Sequence, residues 1–264
     1  MGGWDRVHMT VFTKPWKTLT VAELGEFVAG LGLAGVELPV RPGYQVPPEQ
    51  VSELPRVARA FRQLGVSITS VAGPTDEATI AACGEAGVPI IRICEAIDED
   101  GYLATEARLQ RKYAALVPLL DKHGVTLGIQ NHSGNNVASA VGLRRLVEQF
   151  DPRHIAAVWD PAHTAVNGEE PHLAIDIVWS HLCMVNLKNV FWQRTNGPEA
   201  PVAEWSMYWT TGRHGLASWP RVVELLRARE YAGPVCLCAE YSNGQDVNRL
   251  IAQDVAFAKS LFEM

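Results

Sequence analysis

Short apolar runs alternate with amphipathic segments eight times along the chain, and this alternation restricts the fold more than any other feature. Each run is rich in β-branched or apolar residues and is bounded by Gly, Pro or polar turns, which is typical of β-strands. Several runs are apolar on both faces, as in parallel strands covered on both sides. The predicted strands are VHMTVF (7–12), GVELPV (35–40), SITSVA (67–72), PIIRIC (89–94), VTLGIQ (125–130), IAAVWD (155–160), CMVNLK (183–188) and VCLCAE (235–240).

The segments between these runs carry helix start and stop signals. Thr20 precedes an amphipathic segment and Glu23 follows three residues later, which is the capping-box pattern. Thr105 precedes a long segment that should be kinked by Pro118, because proline removes a helix hydrogen bond. Helices are predicted over 21–31, 48–65, 106–122 and about 246–262.

Eight strand–helix units without a break predict an α/β chain folded as one (β/α)₈ TIM barrel over residues 1–264. The alternative is a doubly wound open sheet. Such sheets usually carry a GxGxxG turn after the first strand, and here that position reads TKPWKT. The barrel is therefore the favoured fold.

Composition excludes several classes of protein. With 20% charged residues and a net charge of −6, the chain lacks the basic stripe of a nucleic-acid-binding protein. No stretch approaches the ~20 apolar residues of a membrane span, and MGGWDRVHMT is not a signal peptide. The five cysteines form no CxxC pair, so we interpret them as small buried residues in a reducing compartment. These features predict a soluble, cytoplasmic protein.

In a barrel of this kind the active site lies at the carboxyl ends of the strands. Because side chains alternate along a strand, the last residues of each run can be divided into inward and outward sets. The polar residues assigned to the inside or the rim are Glu37, Arg92, Gln130, Asp160, Asn186, Lys188 and Glu240.

The loops beyond the strands add further candidates, which are Trp16, His132, His163, Arg194 and His214. Three assignments stay open. Arg92 fits either a substrate contact or an ion pair with Glu37, and His132 fits either a proton shuttle or a hydrogen-bonded turn. The long segment 189–214 is rich in Trp and Tyr, so it fits either sugar stacking or an interface in a homo-oligomer.

Five segments together resemble the sugar phosphate isomerase/epimerase family, also described as xylose isomerase-like or AP-endonuclease family 2-like TIM barrels. They are GLAGVELPV (32–40), GVTLGIQNH (124–132), WDPAH (159–163), MVNLKN (184–189) and REYAGPVCLCAE (229–240). The resemblance spans nearly the whole chain in the right order. It implies an isomerase or epimerase acting on a small carbohydrate or polyol.

The resemblance also implies a divalent-metal site, which this chain would build with departures from the usual ligands. Asp160 and Glu240 match, whereas Gln130 stands in place of Glu and Asn186 in place of His. An oxygen-rich set of this kind suits Mn²⁺ or Mg²⁺ better than Zn²⁺. In the alternative, no metal binds and the Lys188 ammonium balances the two carboxylates.

Three functions follow from these residues. The first is isomerisation or epimerisation by proton transfer next to a carbonyl, with Glu240 as base and Asp160, His163 and Lys188 in support. The second is a lyase or dehydratase acting on a keto-sugar or inosose, because Gln130 cannot act as a second base. The third is a carbohydrate-binding protein or subunit without catalytic activity. For the substrate contacts we expect Glu37, Arg92, His132, Trp16, Arg194 and His214.

Overall fold

The computed structural model describes residues 7–263, and its central element is a closed barrel of eight parallel strands. The barrel strands are β1 His8–Phe12, β2 Gly35–Pro39, β3 Ser67–Ala72, β4 Ile90–Cys94, β5 Thr126–Gln130, β6 Ile155–Trp159, β7 Leu182–Leu187 and β10 Pro234–Cys238. Around the barrel they follow the order β1-β10-β7-β6-β5-β4-β3-β2. The predicted (β/α)₈ barrel is confirmed.

Helices connect the strands and cover the outside of the barrel. They are α1 Val21–Gly30, α2 Leu54–Gln63, α3 Glu77–Ala86, α4 Tyr102–His123, α5 Ala140–Val147, α6 Pro161–Val166, α7 Pro171–Val178, α8 Trp219–Ala228 and α9 Val247–Phe262. The capping box at Thr20 and Glu23 is present as predicted. Within residues 7–263, no helix is long and apolar enough to cross a membrane.

Two helix predictions need correction. The long helix α4 begins at Tyr102 rather than after Thr105, because the Thr105 hydroxyl accepts a bond from the Asp98 backbone N–H instead of capping the helix. The segment predicted as one helix over 48–65 is divided into a 3₁₀ turn, Pro48–Glu53, and α2. Gln50 breaks the first part with non-helical dihedral angles.

The apolar residues form two buried layers. Outward side chains of the strands, such as Val36, Leu127 and Val185, pack against the helices in the larger cluster. A smaller cluster holds Phe12, Ala72, Ile90, Val158, Met184, Cys236 and Cys238 on the inward face. Val158, Met184, Cys236 and Cys238 therefore lie on the inward face, as the alternation of side chains along a strand requires. The polar residues one step further along each strand lie at the mouth.

The long segment 189–214 contains regular structure that its sequence did not reveal. It forms a two-stranded antiparallel hairpin of β8 Asn189–Arg194 and β9 Trp205–Thr210. The buried Asn189 side chain anchors the hairpin by donating to the carbonyls of Gly212 and Ala217 and accepting from the N–H of Val190 and Ala217. The hairpin therefore begins at a fixed point directly after the barrel strand β7.

Candidate active site

A continuous network of charged and amide side chains crosses the mouth of the barrel. Its members come from the ends of β2, β4, β5, β6, β7 and β10 and from the turn after β1. In order, the network runs through Glu37, Arg92, Gln130, Asp160, Lys188, Glu240 and Lys14. The strand-end residues selected from the sequence are thus brought together, and Lys14 is added to them.

The first part of the network is a buried arginine–carboxylate pair. Arg92 donates to both carboxylate oxygens of Glu37, with Nε–Oε1 2.6 Å and Nη2–Oε2 2.9 Å. Glu37 is fully buried and Arg92 is only 6% exposed. This two-point geometry is the strong form of a charge-assisted contact. Arg92 therefore forms the ion pair with Glu37 that was one of its two considered roles, and a substrate contact by Arg92 stays a prediction.

Gln130 uses both ends of its amide to link this pair to Asp160. Its Oε1 accepts from Arg92 Nη1 at 2.6 Å, and its Nε2 donates to Asp160 Oδ2 at 2.8 Å. A glutamate at this position could still accept from Arg92, but it would have no hydrogen to offer to Asp160. The network therefore requires an amide here. Both ends of that amide are occupied.

The adjacent residues Asn131 and His132 have separate roles. The Asn131 side chain bonds the backbone of Asp160 in both directions, accepting from its N–H at 2.8 Å and donating to its carbonyl at 3.0 Å. It thereby fixes the end of β5 to the end of β6. Asn131 is thus hydrogen-bonded to the neighbouring strand, whereas the His132 side chain lines the cavity.

Lys188 places a buried ammonium between two carboxylates. Its Nζ lies 2.8 Å from Glu240 Oε2 and 3.4 Å from Asp160 Oδ2, and Glu240 Oε1 contacts Lys14 Nζ at 2.6 Å. Burial lowers the pKa of Lys188, but Asp160 and Glu240 outweigh it and hold that pKa above the usual range. Burial raises the pKa of Glu240, but the two ammonium groups hold it well below normal. Glu240 is therefore ionised and a weak base.

The donor set at the barrel mouth does not fit a divalent cation. The space between Asp160 and Glu240 holds the Lys188 ammonium, and Gln130 Oε1 is committed to Arg92. Asp160 Oδ1 caps α6 by accepting from the N–H groups of Ala162 and His163. Among residues 7–263, no three His, Cys, Asp or Glu side chains group as metal ligands. Lys188 makes the contacts with Asp160 and Glu240 that were described for the alternative to a metal site.

His132 carries an available ring nitrogen. Its Nδ1 lies 2.9 Å from the Ser133 carbonyl, which can only accept, so Nδ1 carries the hydrogen and Nε2 carries a lone pair. The Asn136 amide lies 3.3 Å from Nδ1 but donates to the same carbonyl at 3.0 Å. Burial lowers the pKa of His132, which keeps the ring neutral at pH 7. Within the described chain, no hydrogen-bond partner contacts Nε2, so it can accept a proton.

His163 lies directly behind His132. Their ring centroids are 4.0 Å apart, and His163 is fully buried. Its Nδ1 accepts from the Ser133 N–H at 3.1 Å, so Nε2 carries the hydrogen, 3.8 Å from Asp160 Oδ2. Burial, with Lys188 next, lowers the pKa of His163 far below normal, so the ring stays neutral. Because the two rings pack against each other, His163 helps to hold the His132 ring in place.

Asn186 has a buried amide without a protein partner. The residue is fully buried, it lines the cavity, and neither Oδ1 nor Nδ2 bonds to any group in residues 7–263. Leaving such a group unpaired costs roughly 1–3 kcal/mol. An amide in this position can donate to a carbonyl and accept from a hydroxyl of one ligand. It is therefore a candidate for recognition of a hydroxy-carbonyl group.

These side chains enclose a cavity of about 160 Å³. Gln130, His132, Asn186, Lys188, Glu240 and Arg92 line it as expected from the sequence. Lys14 lines the cavity, as its position just past the first strand indicates. Arg41 was missed as a site residue, although it too lies just beyond a predicted strand, where loop residues enter a barrel site. A second cavity, of about 720 Å³, lies at the opposite end of the barrel, among residues such as Met9, Gly35 and Phe262.

Of the predicted substrate contacts, Glu37 is fully buried against Arg92 and does not line the cavity, and three others lie elsewhere. Trp16 is buried, bonds Asn248 through Nε1 at 2.7 Å and packs on Phe27. Arg194 is held inside the hairpin loop by Asn196 and the Pro198 carbonyl. His214 is exposed and bonds the Thr211 hydroxyl. None of the three is among the residues that line the cavity.

The hairpin contributes one aromatic residue to the site. Trp209 places its ring 4.8 Å from Lys188 Nζ and meets His163 edge-on at 5.3 Å. Trp192 and Trp205 are 45% and 58% exposed, and Trp192 donates its Nε1–H to the Val166 carbonyl at 3.1 Å. The homo-oligomer interface proposed for this segment stays a prediction.

A buried carboxyl beside the site should make stability depend on pH. Asp254 on α9 accepts from the Gly212 N–H and the Tyr241 hydroxyl, both at 2.8 Å, and faces Arg213 and His214. Burial raises the pKa of Asp254 to about 6. Because the pKa of Asp254 is higher in the folded protein than in the unfolded chain, the protonated carboxyl stabilises the fold. This stabilisation is complete below pH ~4 and is lost as the pH rises through 6.

Asp254→Asn should remove this dependence, because the amide oxygen can still accept from the Gly212 N–H and the amide nitrogen can donate to the Tyr241 oxygen. From pH 4 to pH 7, the free energy of unfolding of the variant minus that of the wild type should rise by about 2 kcal/mol. Urea unfolding at both pH values measures the difference. A constant difference would show that Asp254 titrates normally.

The sequence of the chain matches a known protein family. A family model described as xylose isomerase-like TIM barrel matches residues 26–261, and the chain belongs to that family. The resemblance drawn from the five sequence segments is thereby confirmed. A search of curated protein sequences finds no match.

Solved structures share the fold at low sequence identity. A 3-keto-D-glucoside 4-epimerase from E. coli is 13% identical with a TM-score of 0.74, covering 96% of this chain and 99% of that one. A D-psicose 3-epimerase from Clostridium cellulolyticum H10, solved with D-tagatose, is 13% identical with a TM-score of 0.69, covering 97% and 100%. A xylose isomerase-like protein from Mycobacterium smegmatis, in complex with magnesium, is 12% identical with a TM-score of 0.73, covering 99% and 98%.

Proposed function

We propose that the chain is an isomerase or epimerase that moves a proton at a carbon next to the carbonyl of a monosaccharide-sized sugar or polyol. The observation that carries this proposal is the position of two proton carriers. His132 follows β5 and Lys14 follows β1, and these strands are four apart in both directions around the barrel. A substrate in the cavity would therefore lie between a base and an acid on opposite sides.

The size and lining of the cavity support a small, polar substrate. At about 160 Å³ it lies below the ~300–1,000 Å³ of typical drug-sized ligand pockets. Two of the structural neighbours are named as epimerases of keto-sugars. The unpaired Asn186 amide offers the donor and the acceptor that a hydroxy-ketone needs.

The mechanism we propose begins with removal of the proton next to the carbonyl by His132 Nε2. The electron pair left on carbon moves to the carbonyl oxygen, which becomes an enediolate oxygen. Asn186 Nδ2–H and the Lys188 ammonium stabilise this negative charge, as fixed donors do in low-dielectric sites. Lys14 then delivers a proton to the opposite face of the same carbon, which inverts it. Delivery of the proton to the neighbouring carbon would instead give an isomer.

In this proposal Glu240 positions the two lysines rather than acting as the base. Its carboxylate contacts Lys14 at 2.6 Å and Lys188 at 2.8 Å, and both ammonium groups reduce its basicity. The Lys188 ammonium also supplies the positive charge that a divalent ion would supply, so no step is assigned to a metal. The proton carriers proposed here, His132 and Lys14, differ from the Glu240 base favoured by the sequence alone.

A lyase acting on a keto-sugar or inosose is the second candidate. It is favoured by Gln130, whose two amide ends are occupied and which can neither take nor give a proton. His132 would remove the proton next to the carbonyl, and Lys14 would protonate the leaving hydroxyl. Water would then be lost and a carbon–carbon double bond would form.

Proton exchange with solvent tests the proposal. Neutral and carboxylated keto-sugars are incubated with the protein in D₂O after dialysis against EDTA, and deuterium at the carbon next to the carbonyl is followed by NMR. We expect deuterium incorporation together with a new epimer or isomer. An enone absorbance would indicate the lyase instead. Binding of a sugar without deuterium or double-bond formation would contradict both and indicate a non-catalytic binding protein.

A further inference from the structure

Arg41 is a cationic side chain at the cavity that the proposed reaction does not use. It lies just after β2, is half-buried, and lines the cavity of about 160 Å³. Its guanidinium lies 5.7 Å from the centre of the Phe12 ring. Apart from this ring, no side-chain hydrogen bond or ion pair involves it anywhere in residues 7–263. Five N–H donors therefore remain unsatisfied by the protein.

The charges around the cavity leave Arg41 as the surplus cation. Among the residues that the structure describes, four cations surround the site, which are Lys14, Arg41, Arg92 and Lys188, and they face three carboxylates, which are Glu37, Asp160 and Glu240. Arg92 is paired with Glu37, and the two lysines share Asp160 and Glu240. One positive charge is left over, in a chain whose net charge is −6.

A groove beside the cavity leads to the same residue. It measures about 420 Å³, and it shares Arg41, Arg92 and Cys94 with the cavity. Its other lining residues are apolar, Gly or Pro, so no carboxylate within residues 7–263 faces it. A ligand seated in the cavity could thus extend one end into an acid-free groove next to the unpaired guanidinium.

We infer that the substrate is an acidic sugar, a keto-hexose whose terminal carbon is a carboxylate, and that Arg41 is the residue that selects it. This inference rests on the proposed function, because it names the substrate class of the same cavity. A carboxylate carries one negative charge and matches the single surplus cation and the planar fork of arginine. A phosphate monoester carries about −1.5 to −2 at pH 7 and would be left partly unbalanced.

Matched ligands that differ only at the terminal carbon test the inference. Calorimetric titration measures dissociation constants for D-fructuronate against D-fructose, and for D-tagaturonate against D-tagatose, with D-fructose 6-phosphate as the phosphate probe. A charge-assisted bidentate contact should make the acid of at least one pair bind roughly ten- to hundredfold more tightly. Arg41→Met should abolish this preference, and Arg41→Lys should retain part of it.

Arg56→Met is the matched control, because it removes one positive charge from α2 at a side chain that is 71% exposed. It should leave the preference for the acid unchanged. The inference is overturned if no acid binds more tightly than its neutral partner, if Arg41→Met keeps the preference, or if the phosphate binds best. A preference for the acid without deuterium exchange would contradict the proposed function alone. Equal exchange of acid and neutral sugars would contradict this inference alone.

Discussion

Lys188→Met should lower the free energy of unfolding by about 3 kcal/mol, because it leaves Asp160 as a buried carboxylate without a counter-ion. Asp160 is fully buried, and the methionine keeps the unbranched shape of the lysine, so the change removes mainly charge. The expected loss is at the lower end of the ~3–5 kcal/mol range for such pairs. Three N–H donors, from Gln130, Ala162 and His163, still contact the carboxylate. Urea unfolding at pH 7 measures the loss.

A measurement at lower pH separates loss of charge from loss of packing. Burial raises the pKa of Asp160 and Lys188 opposes that rise, so removing the ammonium should raise this pKa further. Because a raised folded-state pKa stabilises the fold at low pH, the loss caused by Lys188→Met should be smaller at pH 5 than at pH 7. An equal loss at both pH values would mean that Lys188 stabilises the fold by packing, and the ionic account of this network would be wrong. Turnover should be lost in Lys188→Met, since the variant lacks the ammonium beside the enediolate oxygen.

The sequence predicted the scaffold well because its signals are local. The eight apolar runs have boundaries within one or two residues of the strands found, since turns and apolar stretches determine where each strand starts and stops. Alternation within a strand then assigned Gln130, Asn186 and Lys188 to the inside. The hairpin within 189–214 was missed because Lys188 is the one residue between the end of β7 and the start of β8, which leaves no room for a turn signal.

The chemistry of the site depends on contacts between distant residues, and these were not predictable. Glu240 is identified as a base from its position, yet its low basicity comes partly from Lys14, which lies 226 residues away in the sequence. The surplus charge on Arg41 becomes visible only when every other cation has been paired. Likewise, the available nitrogen of His132 follows from a single hydrogen bond to a backbone carbonyl.

His132→Gln should reduce the rate of deuterium exchange by roughly 10²- to 10⁴-fold, the usual contribution of a positioned general base. Glutamine retains a polar side chain of similar reach, but it cannot take up the proton. The dissociation constant for the substrate should change little, and NMR measures exchange at saturating substrate. His172→Gln, the same substitution at an exposed position on α7, is the matched control and should exchange as the wild type does. Near-normal exchange in His132→Gln with none in Glu240→Gln would return the role of base to Glu240.

Lys14 lies on the opposite side of the cavity from His132, and its substitution should give the complementary result. In Lys14→Met, His132 can still remove a proton and return a deuteron to the same face, because it needs no partner for that step. Deuterium should therefore still enter the substrate while the epimer no longer forms. This separation requires two proton carriers on opposite faces of one carbon, as the positions after β1 and β5 indicate. A single carrier serving both faces would lose or keep exchange and epimerisation together, so equal loss of both in Lys14→Met would contradict the two-sided mechanism.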